Sequence, residues 1–527
     1  MPQSGGGRSA ALVAAGIFLS RIAGFVRQWV INRYLGLGLV ADALSVSFRI
    51  PNLLQNLFGE GVLSASFIPV YARLVSQGRE RDAARVAEAV AALLTLVVAV
   101  IVAVGVGAAP LVVDVLAPGY SGDKRMLVIV LVRILFPATG VLVFSAWCLG
   151  ILNSHRKFFL SYTAPVVWNA AIIVAAILGR HEPQMRFAVV VAWGAAAGSV
   201  LQVLVQLPTV VALARGLQFR TNLGDAEVRT VVRNFWPALL GRGVNQVSAF
   251  VDTVISTLLG NSPAAGLVNA QLLYTLPVSL FGMSVAAAEL PEMSAVQGTE
   301  EERHAALRTR LTDGSHRIAY FIVPTAVAFL ALGEVLVAAL FQTGRFSAAN
   351  ARYVWAILAG SAVGLLASTL SRLSSSAFYA LGDTRTPLKF AAIRVGLTTV
   401  LGFLCAVPLP ALLGLELKWG AVGLTASAGF AAWVEFALLR RSLAGRIGAT
   451  PFATRYLAKL WFSAFAAGAA GWGLWLVTGK LGPVAVGAAV LVPYGLVYGA
   501  LTLLFRIPTA WEVLHMAGQR LAAPSAR

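Results

Sequence analysis

Residues 9–34 read SAALVAAGIFLSRIAGFVRQWVINRY, an apolar run that carries Arg21, Arg27 and Gln28 in its middle. About 30 Å of hydrocarbon takes roughly 20 helical residues at 1.5 Å rise, so the run is long enough to cross a bilayer. A guanidinium at the centre of such a helix costs at least ~2.5–3.5 kcal/mol, so it is expected to face a watery cavity or an ionic partner. The run is not a secretory leader. Residues 9–19 make a short apolar core, but Arg21 follows where a small-residue cleavage site would stand.

The rest of the chain extends this pattern. Of 527 residues, 58% are hydrophobic and only 12% charged, where a soluble domain carries about a quarter. The net charge of +19 is therefore not that of a nucleic-acid binder, and no nucleic-acid partner is expected. Two cysteines, Cys148 and Cys405, lie far apart in apolar runs and read as packing residues rather than a disulfide.

Fourteen apolar segments fit the chain as spans: 9–34, 40–71, 87–116, 126–151, 158–179, 187–213, 234–259, 263–295, 318–341, 350–380, 387–408, 419–439, 457–478 and 482–505. With the N-terminus in the cytoplasm, 25 of the 41 Lys and Arg fall in inside loops and tails and 9 outside. This positive-inside bias places both termini in the cytoplasm.

Seven arginines remain within the spans: Arg21, Arg27, Arg49, Arg133, Arg242, Arg372 and Arg394. Some can snorkel from helix ends. The first two spans are unusually polar. Arg21 and Arg27 sit about 120° apart on a straight helix, and Gly24 between them can loosen it so that both point inward. In the second span Asp42, Arg49, Asn56 and Glu60 fall within about 40° of one another, with Pro51 expected to kink the helix. Such a stripe either lines a cavity or forms an internal ladder, Asp42 with Arg49 and Glu60 with a first-span arginine. Asp252, near Asn245 and Gln246, can bind a monovalent coupling cation (Na+ or H+) or pair with Arg242.

A weak internal repeat is legible. Ile50-Pro51 and Leu276-Pro277, Ile68-Pro69 and Leu290-Pro291, and Leu152 to Arg156 and Leu381 to Arg385 recur at offsets of 226, 222 and 229 residues. Six spans repeating after six give two lobes of like orientation with a site between them. The expected architecture is an all-α polytopic membrane protein: an N-lobe over 1–215, a C-lobe over 216–445, and two further helices with a tail over 446–527, around a central cavity. The cavity wall from the first lobe would be cationic, and arginine suits phosphate through its planar fork of donors. No Walker A stretch, H-E-x-x-H or Cys/His metal cluster occurs, and no outside loop is long enough for a catalytic domain. The expectation is a transporter with no catalytic residues, metal or cofactor.

Ser20-Arg21, Gly24-Phe25 and Arg27, then Ala41-Asp42-Ala43, Arg49 to Leu54, Phe58 to Gly61 and Ser66 to Val70, resemble the signature of the MurJ (MviN) lipid II flippases of the multidrug/oligosaccharidyl-lipid/polysaccharide exporter superfamily. Gly150 to Ser154, Ala164 to Asn169, Ala377 to Thr384 and Thr386-Pro387 extend the likeness along the chain. The resemblance implies fourteen helices, alternating access, and a groove on the last two helices for the lipid tail. The implied substrate is lipid II, the undecaprenyl-pyrophosphate-linked peptidoglycan precursor, carried across the bacterial inner membrane to the peptidoglycan synthesis machinery. Transport would run on membrane potential or an ion gradient. Arg21 and Arg27 match arginines thought to bind the pyrophosphate, with Arg49 beside them and Asp42, Asn56, Glu60, Gln28 and Gln55 in support. Three positions depart from the pattern: Gln28 replaces an acid, while Gln55 and Leu272 replace arginines. Two alternatives therefore stay open, a flippase for another polyprenyl-linked glycan and a drug/cation antiporter of the same superfamily.

Overall fold

The computed structural model describes residues 4–58, 60–214, 226–450, 454–479 and 481–522; within these, the side chains of Asn56, Glu60, Arg242, Asn245 and Gln246 lie outside the described residues. Among the described residues the chain is helical and contains no strand. It divides into two compact units, Met1–Ala265 and Gly266–Arg527.

The first unit contains α1 (Ser4–Leu35), α2 (Leu39–Phe58), α3 (Glu60–Ser66), α4 (Ile68–Ser76), α5 (Glu80–Gly107), α6 (Ala109–Leu116), α7 (Gly122–Ser154), α8 (Phe158–Leu178), α9 (Gln184–Leu213) and α10 (Ala226–Leu258). By packing, the division falls at the start of α11 (Pro263–Pro277). The reason is packing: α10 lies along α3 and α2, so it joins the first unit. The second unit continues through a π-helical turn at Val278–Met283 into α12 (Ser284–Ser294). There follow α13 (Glu300–Ala331), α14 (Gly333–Phe341), α15 (Ala348–Ala362), α16 (Leu365–Ala380), α17 (Arg385–Ala406), α18 (Pro408–Leu412), α19 (Gly420–Ile447), α20 (Thr454–Thr478), α21 (Pro483–Leu504) and α22 (Pro508–Ala522).

Each of the fourteen apolar segments coincides with a helix or a run of two or three consecutive helices, but the number long and apolar enough to cross a membrane is smaller. Among the described residues nine qualify, or up to eleven when α13–α14 and α15–α16, bent by 81° and 42°, each count as one span. The helices α1, α2 and α10 are not among them. These three carry the charges that the sequence singled out, Arg21 and Arg27, Asp42 and Arg49, and Arg242 and Asp252.

Local sequence explains several helix ends and contacts. Thr299 and Glu302 form a reciprocal capping box at the start of α13, whose first turn holds Glu300, Glu301 and Glu302. Acids there complement the positive helix end. Helices α8 and α9 meet at a G-x-x-x-G stripe. A Cβ on Gly194 would fall 2.3 Å from Ala175 Cβ, and one on Gly198 2.9 Å from Ala171 Cβ. Bare glycine faces allow backbones to approach where no hydrophobic effect drives helices together.

The repeat is exact at one offset. Helix α7 and the α15–α16 pair begin and end 226 positions apart, at Gly122 and Ala348 and at Ser154 and Ala380. Both end in the same turn: Lys157 N donates to Leu152 O at 2.8 Å, and Asp383 N to Phe378 O at 2.9 Å. The left-handed residue is Arg156 in one and Gly382 in the other. This register corrects the offset of 229 read from the two sequence motifs by three residues, because the hydrogen bonds pair Arg156 with Gly382.

Candidate functional site

Helix α1 runs unbroken from Ser4 to Leu35, so Gly24 does not loosen it. Instead Gly24 faces α8: a Cβ there would stand 4.0 Å from Asn169 Oδ1. Arg27, six residues and about 9 Å along the axis from Arg21, is half-buried, with its Cζ 5.1 Å above the centroid of the Trp168 ring. Arg21 is exposed. Neither arginine has a carboxylate partner among the described residues. Gln28 Nε2 donates to Asn32 Oδ1 at 3.1 Å within the same helix, and Gln55 is half-buried on α2.

The ladder expected between Asp42 and Arg49 is not what forms. Asp42 is fully buried and its partner is Lys124, also buried, at the start of α7. Lys124 Nζ donates to Asp42 Oδ2 at 3.0 Å, to Gly260 O at 2.9 Å and to Asn261 Oδ1 at 3.1 Å, and sits 3.8 Å from the Tyr120 ring centroid. Asp42 also accepts from Ser262 N and Ala265 N, both at 2.8 Å, closing the turn that opens α11. Every ammonium proton is used, as a buried charge requires. Asp42 is thus a structural tie among α2, α7 and the 260–265 turn.

Arg49 is spent on α10. Its Nη1 donates to Thr253 Oγ1 at 2.9 Å, and the neighbouring Asp252 acts on it electrostatically. Asp252 therefore has Arg49 as an ionic neighbour, and the expected pairing with Arg242 falls on a side chain outside the described residues. Helix α2 continues helically through Pro51 to Phe58. The expected roles of Asn56 and Glu60 fall on side chains outside the described residues.

In the second unit the intramembrane acids find arginines. Glu435 pairs with Arg394 at 2.9 Å between α19 and α17; Glu334 with Arg352 at 3.2 Å; and Glu289 with Arg310 and Arg317 at 3.4 and 3.7 Å. Arg394 is therefore an ion-pair member, not a snorkelling residue. Arg133 and Arg372 are exposed on α7 and α16. On the same unit an apolar groove of about 500 Å³ is lined by Ala331 of α13 and by Phe465, Gly468, Ala469, Trp472 and Gly473 of α20. Small residues open it and two aromatic rings wall it. No group of three His, Cys, Asp or Glu able to hold a metal occurs among the described residues.

The α1 arginines and the α20 groove belong to a chain that resembles known proteins. The family profile described as "Lipid II flippase MurJ" matches residues 31–492. The chain belongs to the MurJ family. "Lipid II flippase MurJ" of Burkholderia cenocepacia is 31% identical over 421 residues, 78% of this chain and 80% of that protein. "Probable lipid II flippase MurJ" of Rhizobium meliloti is 29% identical over 433 residues, 81% of this chain and 78% of that one. A solved structure described as lipid II flippase MurJ in an inward closed conformation matches with a TM-score of 0.78 at 20% identity, covering 94% of this chain and 99% of that chain. An inward-facing multidrug resistance MATE family transporter matches at 0.65 and 17% identity, over 81% and 95%. These likenesses fix a polytopic transporter fold. MurJ-family membership does not favour the drug/cation antiporter alternative.

Sequence reasoning missed Lys124, Thr253 and Trp168 as partners of the charged residues. Each lies on a different helix from its partner. The one signal available for Lys124 was its position at the edge of an apolar run.

Proposed function

We propose that this protein flips lipid II from the cytoplasmic to the outer leaflet of a bacterial inner membrane, delivering it to the peptidoglycan synthesis machinery. The observation that carries the reading is the state of Arg21 and Arg27: guanidiniums on α1 without a carboxylate among the described residues to neutralise them. The other arginine brought forward with them, Arg49, is already engaged. A dianionic diphosphate is the partner that two free guanidinium forks suit, through bidentate charge-assisted hydrogen bonds. The groove on α20 takes the polyprenyl tail, so the tail stays in apolar surroundings while the head group crosses by alternating access. Both termini lie in the cytoplasm, in keeping with the positive-inside bias of the loops.

Coupling to a monovalent cation, Na+ or H+, belongs to the same proposal, with Asp252 as the responsive group. A cation or proton on Asp252 competes with Arg49 for its charge, and so loosens the tie between α2 and α10.

The test is rescue of a flippase-depleted strain. Arg27→Ala and Arg21→Ala insert into the membrane and fail to rescue; full rescue by Arg27→Ala rejects the assigned role. Native mass spectrometry of the purified chain with lipid II and with other undecaprenyl-linked glycans separates lipid II from the other polyprenyl substrates.

A further inference from the structure

Arg27 is held by an aromatic ring, and the ring is itself held from three sides. Trp168 lies on α8 with the Arg27 guanidinium 5.1 Å from its ring centroid. Its Nε1 donates to Ala195 O on α9 at 3.1 Å. The Phe48 ring of α2 meets it edge-on, with centroids 6.3 Å apart and planes at 88°. Beneath it Gly198 leaves the room it needs, since a Cβ there would fall 3.0 Å from Trp168 O and 3.1 Å from its Cδ1. Two neighbouring helices of the first unit, α9 and α2, therefore fix one indole.

The choice of an aromatic partner has a chemical consequence. A carboxylate beside Arg27 would cancel its charge and occupy its donors, and an incoming phosphate would have to displace it. An indole face attracts the cation through its quadrupole and carries no net charge. A guanidinium lying on it keeps its in-plane N–H fork unspent. The same chain shows the contrast: Arg394 gives its donor to Glu435 and Arg49 to Thr253.

We propose that Trp168 is a positioning residue for substrate recognition, an uncharged shelf that fixes the Arg27 fork toward the diphosphate without neutralising it. This rests on the reading of Arg27 as a diphosphate ligand. The indole touches no substrate atom and acts through Arg27.

The experiment measures lipid II affinity of the full-length purified chain by native mass spectrometry, for Trp168→Leu, Trp168→Phe, Arg27→Ala and the double variant Arg27→Ala/Trp168→Leu. Trp168→Leu weakens binding roughly tenfold. Trp168→Phe keeps a π face and most of the affinity, a rescue that filling space alone does not give. Trp168→Leu adds nothing once Arg27 is gone. Two results overturn the proposal while leaving Arg27 as a ligand: Trp168→Leu binding like the parent when Arg27→Ala does not, or an equal further loss on adding Trp168→Leu to Arg27→Ala. If Trp168→Leu does not yield folded protein, Trp168→Phe and Trp168→Tyr carry the test, and a tenfold loss in both overturns the shelf. Normal binding by Arg27→Ala refutes the diphosphate reading itself, and the proposal with it.

Discussion

Replacing Lys124 by methionine should be among the most damaging single changes in the first unit. The two side chains of the Asp42–Lys124 pair are 0% and 7% exposed, so neither charge is shared with water. Without the ammonium, the Asp42 carboxylate keeps two backbone donors, Ser262 N and Ala265 N, and loses its only counter-charge among the described residues. Breaking a buried pair from one side costs ~3–5 kcal/mol, much of it the penalty of the stranded charge. The two remaining amides place Lys124→Met near the lower end, about 3 kcal/mol. Asp42→Asn strands the ammonium instead, with Gly260 O and Asn261 Oδ1 left to it. The double variant removes both charges and should be less damaged than the two singles summed, by about 2 kcal/mol. Equilibrium unfolding of the four proteins in mixed micelles closes this cycle. A cost for Lys124→Met below about 1 kcal/mol, or strict additivity in the double, would show that the pair does not hold α2 and α7 to the 260–265 turn.

Three further outcomes follow from packing and charge. Glu435→Ala leaves Arg394, whose side chain is 35% exposed, without its carboxylate and should cost about 1–2 kcal/mol after allowance for that exposure; a Met–Met replacement of the pair, measured in the same unfolding assay, should recover most of it. Gly194→Ala forces a Cβ to within 2.3 Å of Ala175 Cβ and should destabilise by ~1–3 kcal/mol. Gly499→Ala, on an open face of α21, should gain up to roughly 0.5–1 kcal/mol from helix propensity, and equal effects at the two sites would discredit the α8–α9 contact. The Asp383 carboxyl, bonded to Thr386 Oγ1 and Thr386 N and paired with Arg446 at 2.6 Å, is held down to about 2. Its folded value lies below the ordinary value, so its contribution is complete above about pH 4 and is lost as pH falls toward 2. Amide exchange at Arg385 and Thr386 should stay slow to about pH 4 and quicken below it relative to intrinsic rates, and protection lost near pH 6 would contradict this.

Apolar segments were legible because hydrocarbon thickness and helix rise leave little freedom, and the fourteen map onto single helices or short runs of consecutive helices. The polar helices were legible too, since Arg21, Arg27, Asp42 and Arg49 interrupt apolar text. Their partners were not. Asp42 and Arg49 share a helix face, and periodicity alone joins them. In the structure Lys124, 82 positions away, and Thr253, 204 away, reach them first. Helical phase fixes which residues share a stripe, but the neighbour opposite that stripe is set by long-range packing. Packing is hidden from the repeat as well: the repeat counts six spans before α10, and in the structure α10 packs on α2 and α3.

The shared turn after Ser154 and after Ala380 carries a last consequence. Carried onward at the common spacing of 226, the position that matches Trp168 is Arg394. Matching positions thus hold an uncharged ring beneath a cation from another helix in one unit, and a cation tied to an acid in the other.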